Sequence, residues 1–440
     1  MSITSRTLLK VLVEQRHWRY VDFERHFCRS AAHVLDQDAR NLSISESQFR
    51  RWTSGKVRTL PGPDTCRVLE YLFGVDAAQL FGPAPSPHTP APAFSLEDEI
   101  AMTARDAQNE AGAAAAASIS DTTIDQLRDD VVSLARKYTT TAAFDAFRKA
   151  RELREQAEHE RDRTQVPAQQ QELLITAGQA CALLATAAFD LGSLDGATRL
   201  SRSAALYGET ARFNPLRAFA GGTLAYIAYF SGQPLRAAQL ARQAQTFAGL
   251  GDVARRRLAS IEARAYGHLG DIAATQRALD HAQRVEADAT DALHDEVGGE
   301  FGFDDARLAM SNGTTCLLLG DGPQAEAAAH RALELIAAKP AAERSQTITG
   351  RAAADLSMAR LLRGDLDGAN AALEPVWAVP RGQRVTGLRT RMSHVRETLT
   401  GERFRTVRLA QELGERIEDF SRSSAAHELG IGGPLTALEG

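Results

Sequence analysis

Four polar side chains within a short span, Glu46, Ser47, Arg50 and Arg51, could together read the edges of base pairs. An arginine can donate to guanine O6 and N7 at once, a serine can donate or accept, and a glutamate can accept from cytosine N4. Ser54, Gly55, Lys56 and Arg58 follow. A hydroxyl, a bare backbone amide and two flexible cations suit phosphate oxygens better than base edges. The plainer alternative is a solvated basic face beside an ordinary core pair.

The element that must position them runs from Ile44 to Gly55. Ser45 suits an N-cap whose hydroxyl accepts from the Gln48 amide while the Gln48 side chain returns to the Ser45 amide, a capping box. Ile44 and Phe49 then form a hydrophobic staple. Phe49 and Trp52 share the inward face, which leaves Glu46, Ser47, Arg50, Arg51 and Ser54 outward. Gly55 stops the helix as its C′ residue.

The run Phe49-Arg50-Arg51-Trp52-Thr53-Ser54-Gly55-Lys56, then Pro61, then Cys66-Arg67-Val68-Leu69-Glu70-Tyr71-Leu72-Phe73-Gly74 and Leu80-Phe81-Gly82 resembles the XRE-type helix-turn-helix regulators. The likeness is to their actinomycete branch, in which a tetratricopeptide-like domain follows the DNA-binding domain. It covers residues 6–82 and implies that the helix over residues 45–54 is the recognition helix, with base contacts from Glu46, Ser47, Arg50 and Arg51. One departure is the segment from Tyr20 to Asn41, about twice as long as the second helix usual in that family.

At 440 residues the chain is too long for one ordinary domain. The first apolar run, Leu8 to Val13, is broken by Lys10 and precedes no cleavage site, so no signal peptide is expected. No run of about 18 apolar residues predicts a membrane span, and a cytoplasmic location is the expectation. Cysteines at 28, 66, 181 and 316 lack the close spacing of a disulfide framework or a zinc site. The net charge of −5 divides unevenly: residues 1–82 hold 12 Lys/Arg against 9 Asp/Glu, and the remainder 39 against 47. A basic head on an acidic body fits nucleic-acid binding confined to the N-terminus, or is merely uneven surface charge.

Leu8, Leu9, Leu12 and Val13 make the stripe of a first helix ending near Trp18, and Phe23, Phe27, Ala31, Val34 and Leu35 that of a second. Pro61-Gly62-Pro63 forces a turn, and Asp64 can cap the next helix. Five prolines between Pro83 and Phe94 predict a polyproline-II tether. Residues 96–170 then read as a helical connecting region.

From about residue 171 the chain repeats. A turn glycine recurs at 192, 232, 270, 320, 364 and 401, followed five residues later by Ala197, Ala237, Thr275, Ala325, Ala369 and Thr406. Twelve residues after each glycine stand Ala204, Ala244, Ala282, Ala332, Val376 and Leu413. Small residues at fixed offsets let paired helices approach closely, which predicts six hairpins stacked as a tetratricopeptide-like solenoid over 171–425, with a tail at 426–440. The longer period and missing aromatic and proline positions depart from the 34-residue consensus. Tyr226, Tyr229 and Phe230 fall on the first helix of a hairpin, where they either line an inner groove for an effector or pack between repeats. An insertion at 286–305 carries eight acidic residues, among them Asp288, Asp291, Asp295 and Glu296, a cation or basic-segment site or else a solvated loop.

No P-loop, HExxH, GxSxG or strand-flanked GxGxxG is present, and no histidine pair has metal-ligand spacing. No catalytic residue, metal or cofactor is expected. The sequence therefore predicts an all-α protein: a helix-turn-helix domain over 1–82, a proline-rich linker over 83–95 and a TPR-like α-solenoid. The expected function is sequence-specific binding of a double-stranded DNA operator by a homodimeric transcriptional regulator, with the solenoid dimerising and sensing a peptide, small molecule or partner protein. The competing expectation is an interaction scaffold whose head does not read DNA sequence.

Overall fold

A computed structural model describes residues 7–35, 42–57, 59–84, 96–116, 118–284 and 289–424. Most of the proline tether, residues 36–41, Arg58, Asp288 and the 426–440 tail lie outside the described residues. Among the described residues the structure is helical and has no strand, and the chain divides into two compact units, residues 1–108 and 109–440.

The first unit packs α1 (Leu8–Gln15), α2 (Tyr20–Val34), α3 (Glu46–Thr53), α4 (Pro63–Phe73) and the single turn α5 (Ala77–Leu80) around one core. Leu9, Phe23, Phe27, Val68, Leu69 and Leu80 are fully enclosed there. The segment that departs in length from the helix-turn-helix pattern has its helix α2 end at Val34, with Leu35 extended. Asp64, expected to cap α4, sits inside the helix instead: Pro63, with φ already fixed for a helix, takes the first position, and Asp64 pairs with Arg67 at 2.7 Å. The Leu8 amide donates to the Gly82 carbonyl at 3.1 Å and closes the unit at its ends.

A helix α6 (Leu96–Ala116) precedes α7 (Asp121–Lys137) and α8 (Ala143–Arg163). Then come α9 (Pro167–Asp190), α10 (Leu194–Thr210), α11 (Asn214–Phe230), α12 (Pro234–Ala244), α13 (Asp252–His268) and α14 (Ile272–Arg284). The series ends with α15 (Asp305–Leu318), α16 (Gly322–Ala337), α17 (Gln346–Arg363), α18 (Leu366–Ala372), α19 (Glu374–Trp377), α20 (Thr386–Thr400) and α21 (Arg408–Arg422). Adjacent helices pack in series, the arrangement of an all-α solenoid.

The glycine phase explains the hairpins. Gly192, Gly232, Gly270, Gly320 and Gly364 all adopt positive φ, between 70° and 95°, where a Cβ would be strained. The alanines or threonine five residues on are buried at Ala197, Ala237, Thr275, Ala325 and Ala369, and all six positions twelve residues on are buried as well. The sixth hairpin differs. Gly401 has φ −64°, Thr406 is exposed, and a longer turn seats Phe404 and Ala410 in the core instead.

Helices α7 and α8 share their core with α9 and α10, so the stretch read as a connector contributes to the same packed array. Helix α9 is long and apolar enough to cross a membrane by composition alone, but 78% of that window is buried against other helices, as in a core helix. The array also brings distant segments together. Thr386 Oγ1 donates to the Asp190 carbonyl at 3.1 Å, Ser345 Oγ to Thr139 O at 2.9 Å, and Gln383 Nε2 to Thr140 O at 2.8 Å.

Candidate functional site

Helix α3 is held from one side and open on the other. Trp52 is buried with Phe81 packed edge-on at 5.7 Å, Ile44 is buried, and the half-buried Phe49 meets Phe23 at 4.9 Å and Tyr20 at 5.9 Å. Tyr20 also donates to the Ile44 carbonyl at 2.8 Å, tying α2 to the entry of α3. The capping box is formed: the Gln48 amide donates to Ser45 Oγ at 3.3 Å and the Ser45 amide to Gln48 Oε1 at 3.0 Å. Gly55, at φ 73°, terminates the helix.

Glu46, Ser47, Arg50 and Arg51 are all exposed. They are not equivalent. Arg50 is held by Glu46 one turn earlier at 2.6 Å, while Arg51 has no ion-pair partner among the described residues. Ser47 Oγ shares a 2.9 Å hydrogen bond with Ser45 Oγ. Ser54, Gly55 and Lys56 follow on the surface, with Ser54 Oγ donating back to the Arg51 carbonyl at 3.0 Å, and Arg58 lies outside the described residues.

The aromatic trio on α11 packs together, Tyr226 meeting Phe230 at 4.9 Å and Phe189 at 5.4 Å. Tyr229 and Phe230 are buried in a cluster with Phe189, with Tyr229–Phe230 at 5.2 Å and Phe189–Phe230 at 5.0 Å, so they are inter-repeat packing. Tyr226 alone of the three lines a cavity of about 140 Å³.

That cavity is lined by charged groups from several repeats: Asp190 of α9, Arg257 and Arg264 of α13, Glu300, Arg307 of α15 and Arg351 of α17. Asp190 accepts from Tyr138 Oη at 3.0 Å and from Arg351 at 3.2 Å. Burial is the main influence on its carboxyl, opposed by Arg351 and reinforced by Glu300, and pushes it up to about 6. Burial likewise dominates at Arg257 and lowers it to about 10. Burial alone would raise the Tyr226 phenol, yet Arg264, Arg391 and Arg351 bring it below its ordinary value. A second space of about 660 Å³ shares Thr139, Phe303, Arg307 and Ile348 with the first.

The raised Asp190 carboxyl has a consequence for stability. The folded protein holds this proton more tightly than the unfolded chain, so its contribution is present below about pH 4 and lost as pH rises through about 6. Asp190→Asn is expected to flatten the stability curve between those values, removing up to about 3 kcal/mol of slope. Thermal unfolding of both proteins across pH 4 to 7 checks this.

Sequence reasoning missed these arginines, although a signal exists. Arg257, Arg307 and Arg351 each stand 13 residues before a hairpin glycine, Gly270, Gly320 and Gly364. The same repeat position carries the buried Phe219 and Gln179 earlier in the array. A position that is inward and cationic in three successive hairpins marks a lined interior.

The acidic insertion is packed into the solenoid. Leu293 and Phe301 are fully buried, Phe301 edge-on to Phe219 at 4.8 Å. Asp291 is enclosed with His294 at 3.0 Å and accepts from the amides of Gly251, Leu293 and His294. Burial would raise its carboxyl, but His294 and these amides hold it down at about 2. Among the described residues no group of three or more metal-ligating side chains converges. Gly299 adopts φ 61°, and a Cβ there would strike the Ala135 carbonyl, to which the Glu300 amide donates at 2.8 Å. Gly299→Ala is expected to cost more than about 2 kcal/mol and to raise protease sensitivity between α14 and α15.

No family model matches the chain, and no curated protein matches it.

Proposed function

We propose that this chain is a cytoplasmic, sequence-specific DNA-binding transcriptional regulator. In this reading the first unit is a helix-turn-helix domain with α3 as its recognition helix, and the second is a tetratricopeptide-like solenoid that dimerises and senses a peptide, small molecule or partner protein. The observation that carries it is α3 itself: a short, doubly capped helix, anchored by Ile44 and Trp52, that turns Glu46, Ser47, Arg50 and Arg51 to solvent. Such a helix fits a major groove, and its side-chain types match the donors and acceptors there. Ser54, the Gly55 amide, Lys56 and Arg58 contact the backbone.

One helix this short reads only a few base pairs, so two half-sites are needed for useful affinity, and the operator is an inverted repeat. The solenoid supplies the dimer contact in this account. No catalytic role is assigned.

Salt dependence separates this reading from an interaction scaffold. Binding to a DNA fragment is measured by fluorescence anisotropy from 50 to 200 mM salt. A reader of DNA loses affinity steeply, with a log–log slope near −0.9 per phosphate contacted. Absence of measurable DNA binding at the lowest salt favours the scaffold.

A further inference from the structure

The cavity inside the solenoid holds more positive charge than its own carboxylates balance. Of its four arginines, Arg307 pairs with Glu300 at 2.9 Å and Arg351 with Asp190 at 3.2 Å. Arg257 and Arg264 have no carboxylate within ion-pair reach among the described residues. Arg257 reaches the Phe219 carbonyl at 3.4 Å and Thr223 Oγ1 at 3.3 Å and lies over the Phe219 ring at 4.2 Å, all neutral partners. Arg264, 4% exposed, reaches Tyr226 Oη at 2.8 Å and Ser311 Oγ at 3.1 Å and lies over the Tyr226 ring at 5.3 Å, and its buried Nε has no hydrogen-bond partner among the described residues.

The same solenoid satisfies a buried guanidinium fully elsewhere. Arg391 meets Asp355 at 2.8 Å, the Gly387 carbonyl at 2.9 Å and Thr314 Oγ1 at 2.8 Å. A buried cation without a counter-ion is far costlier than such a pair, and the buried Arg264 and half-buried Arg257, facing one cavity, are set for an anion from outside. Tyr226 adds to this, since its oxygen accepts from Arg264 while its own proton has no acceptor among the described residues.

The rest of the lining specifies the remainder of the ligand. Ile227, Ile261, Met310 and Ile348 give the cavity apolar walls. Its volume, about 140 Å³, is close to that of an engineered apolar cavity of roughly 150 Å³ that takes one benzene molecule. A planar carboxylate matches the fork of a guanidinium, and one ring or a short branched chain fills what is left.

We propose that this cavity binds a small organic acid, its carboxylate toward Arg257 and Arg264 and its ring or short chain against the apolar wall. A longer acid extends past Phe303 and Arg307 into the adjoining space. The proposal deepens the sensing half of the functional reading. Its test uses no DNA, so its failure leaves the DNA-reading helix untouched, and failure of DNA binding leaves the cavity's ligand class intact.

The test is isothermal titration and thermal unfolding of the full-length protein at neutral pH with benzoate, phenylacetate and hexanoate, beside benzyl alcohol and inorganic phosphate. At least one acid binds one to one and raises Tm by about 5 °C at a hundredfold excess over its Kd, and the alcohol and phosphate do not. Arg257→Met and Arg264→Met each weaken that acid tenfold or more. Neither lowers the ligand-free Tm, since each removes a charge that no carboxylate pairs. If one variant does not fold, the other carries the comparison. The proposal is overturned if none of the three acids binds, if benzyl alcohol or phosphate binds as tightly as the best acid, or if affinity survives in the folded variants.

Discussion

Alanine at both Arg50 and Arg51 is expected to abolish preference for the operator over random DNA while leaving the fold intact. Both side chains are exposed and neither enters the core of the first unit. Each bidentate contact to guanine discriminates by about 1–3 kcal/mol, so the double variant loses about thirtyfold at the least and about twenty-five-thousandfold at the most. The single variants should differ. Arg51 is free of ion pairs among the described residues, and on the proposed reading it is expected to meet a base directly, so Arg51→Ala is expected to relax preference at one base pair. Arg50 must first leave Glu46, 2.6 Å away. An exposed pair of this kind is worth about 0–1 kcal/mol, less than bidentate pairing with guanine contributes, so the exchange is downhill. Lys56→Ala, by contrast, weakens all sequences about equally and lowers the salt slope by about one. Competition binding against single-base operator variants checks these outcomes. Uniform losses in both Arg51→Ala and Lys56→Ala would contradict the division between base and phosphate contacts.

Asp355→Ala has the largest expected effect on stability. Asp355 is buried, accepts from Arg391 Nε at 2.8 Å and from Thr314 Oγ1 at 2.8 Å, and is the only carboxylate paired with Arg391 among the described residues. Removing it strands a buried guanidinium, which costs about 3–5 kcal/mol. Replacing both partners, Asp355→Leu with Arg391→Met, removes the charges together and is expected to recover most of that loss, because two desolvation penalties vanish along with one attraction. Thermal denaturation of the three proteins decides it. A single variant within about 1 kcal/mol of the parent would mean that water reaches Arg391.

Much of this was legible in the sequence because it depends on local spacing. The capping box from Ser45 to Gln48, the inward Trp52 and the five positive-φ glycines are rules of a single turn, and they form as read. The small residues five positions after those five glycines likewise record one recurring helix contact. Where the reading failed, a longer range or a local competitor was responsible. Asp64 lost the capping position to Gly62 because Pro63 opens the helix, and Gly401 has no left-handed turn where the last hairpin lengthened. For Tyr229 and Phe230 the packing alternative holds, but the partners are ones that helical spacing within α11 cannot reveal: Phe230 packs on Phe189 of the preceding hairpin and Tyr229 on Phe230 and on His268 of α13. The acidic insertion looked solvated by composition, yet Leu293, Val297 and Phe301 carry it into the core. The cavity was invisible for the same reason: Arg257, Arg307 and Arg351 lie 50 and 44 residues apart in sequence and meet only through the stacking of repeats.

The most direct test of the account is selection of fragmented genomic DNA from the host by purified full-length protein, sequenced beside the Arg50→Ala/Arg51→Ala variant. Enrichment of one inverted-repeat motif by the parent and its loss in the variant are expected. Equal recovery of the same fragments by both proteins, with no shared motif, would contradict α3 as a reader of sequence.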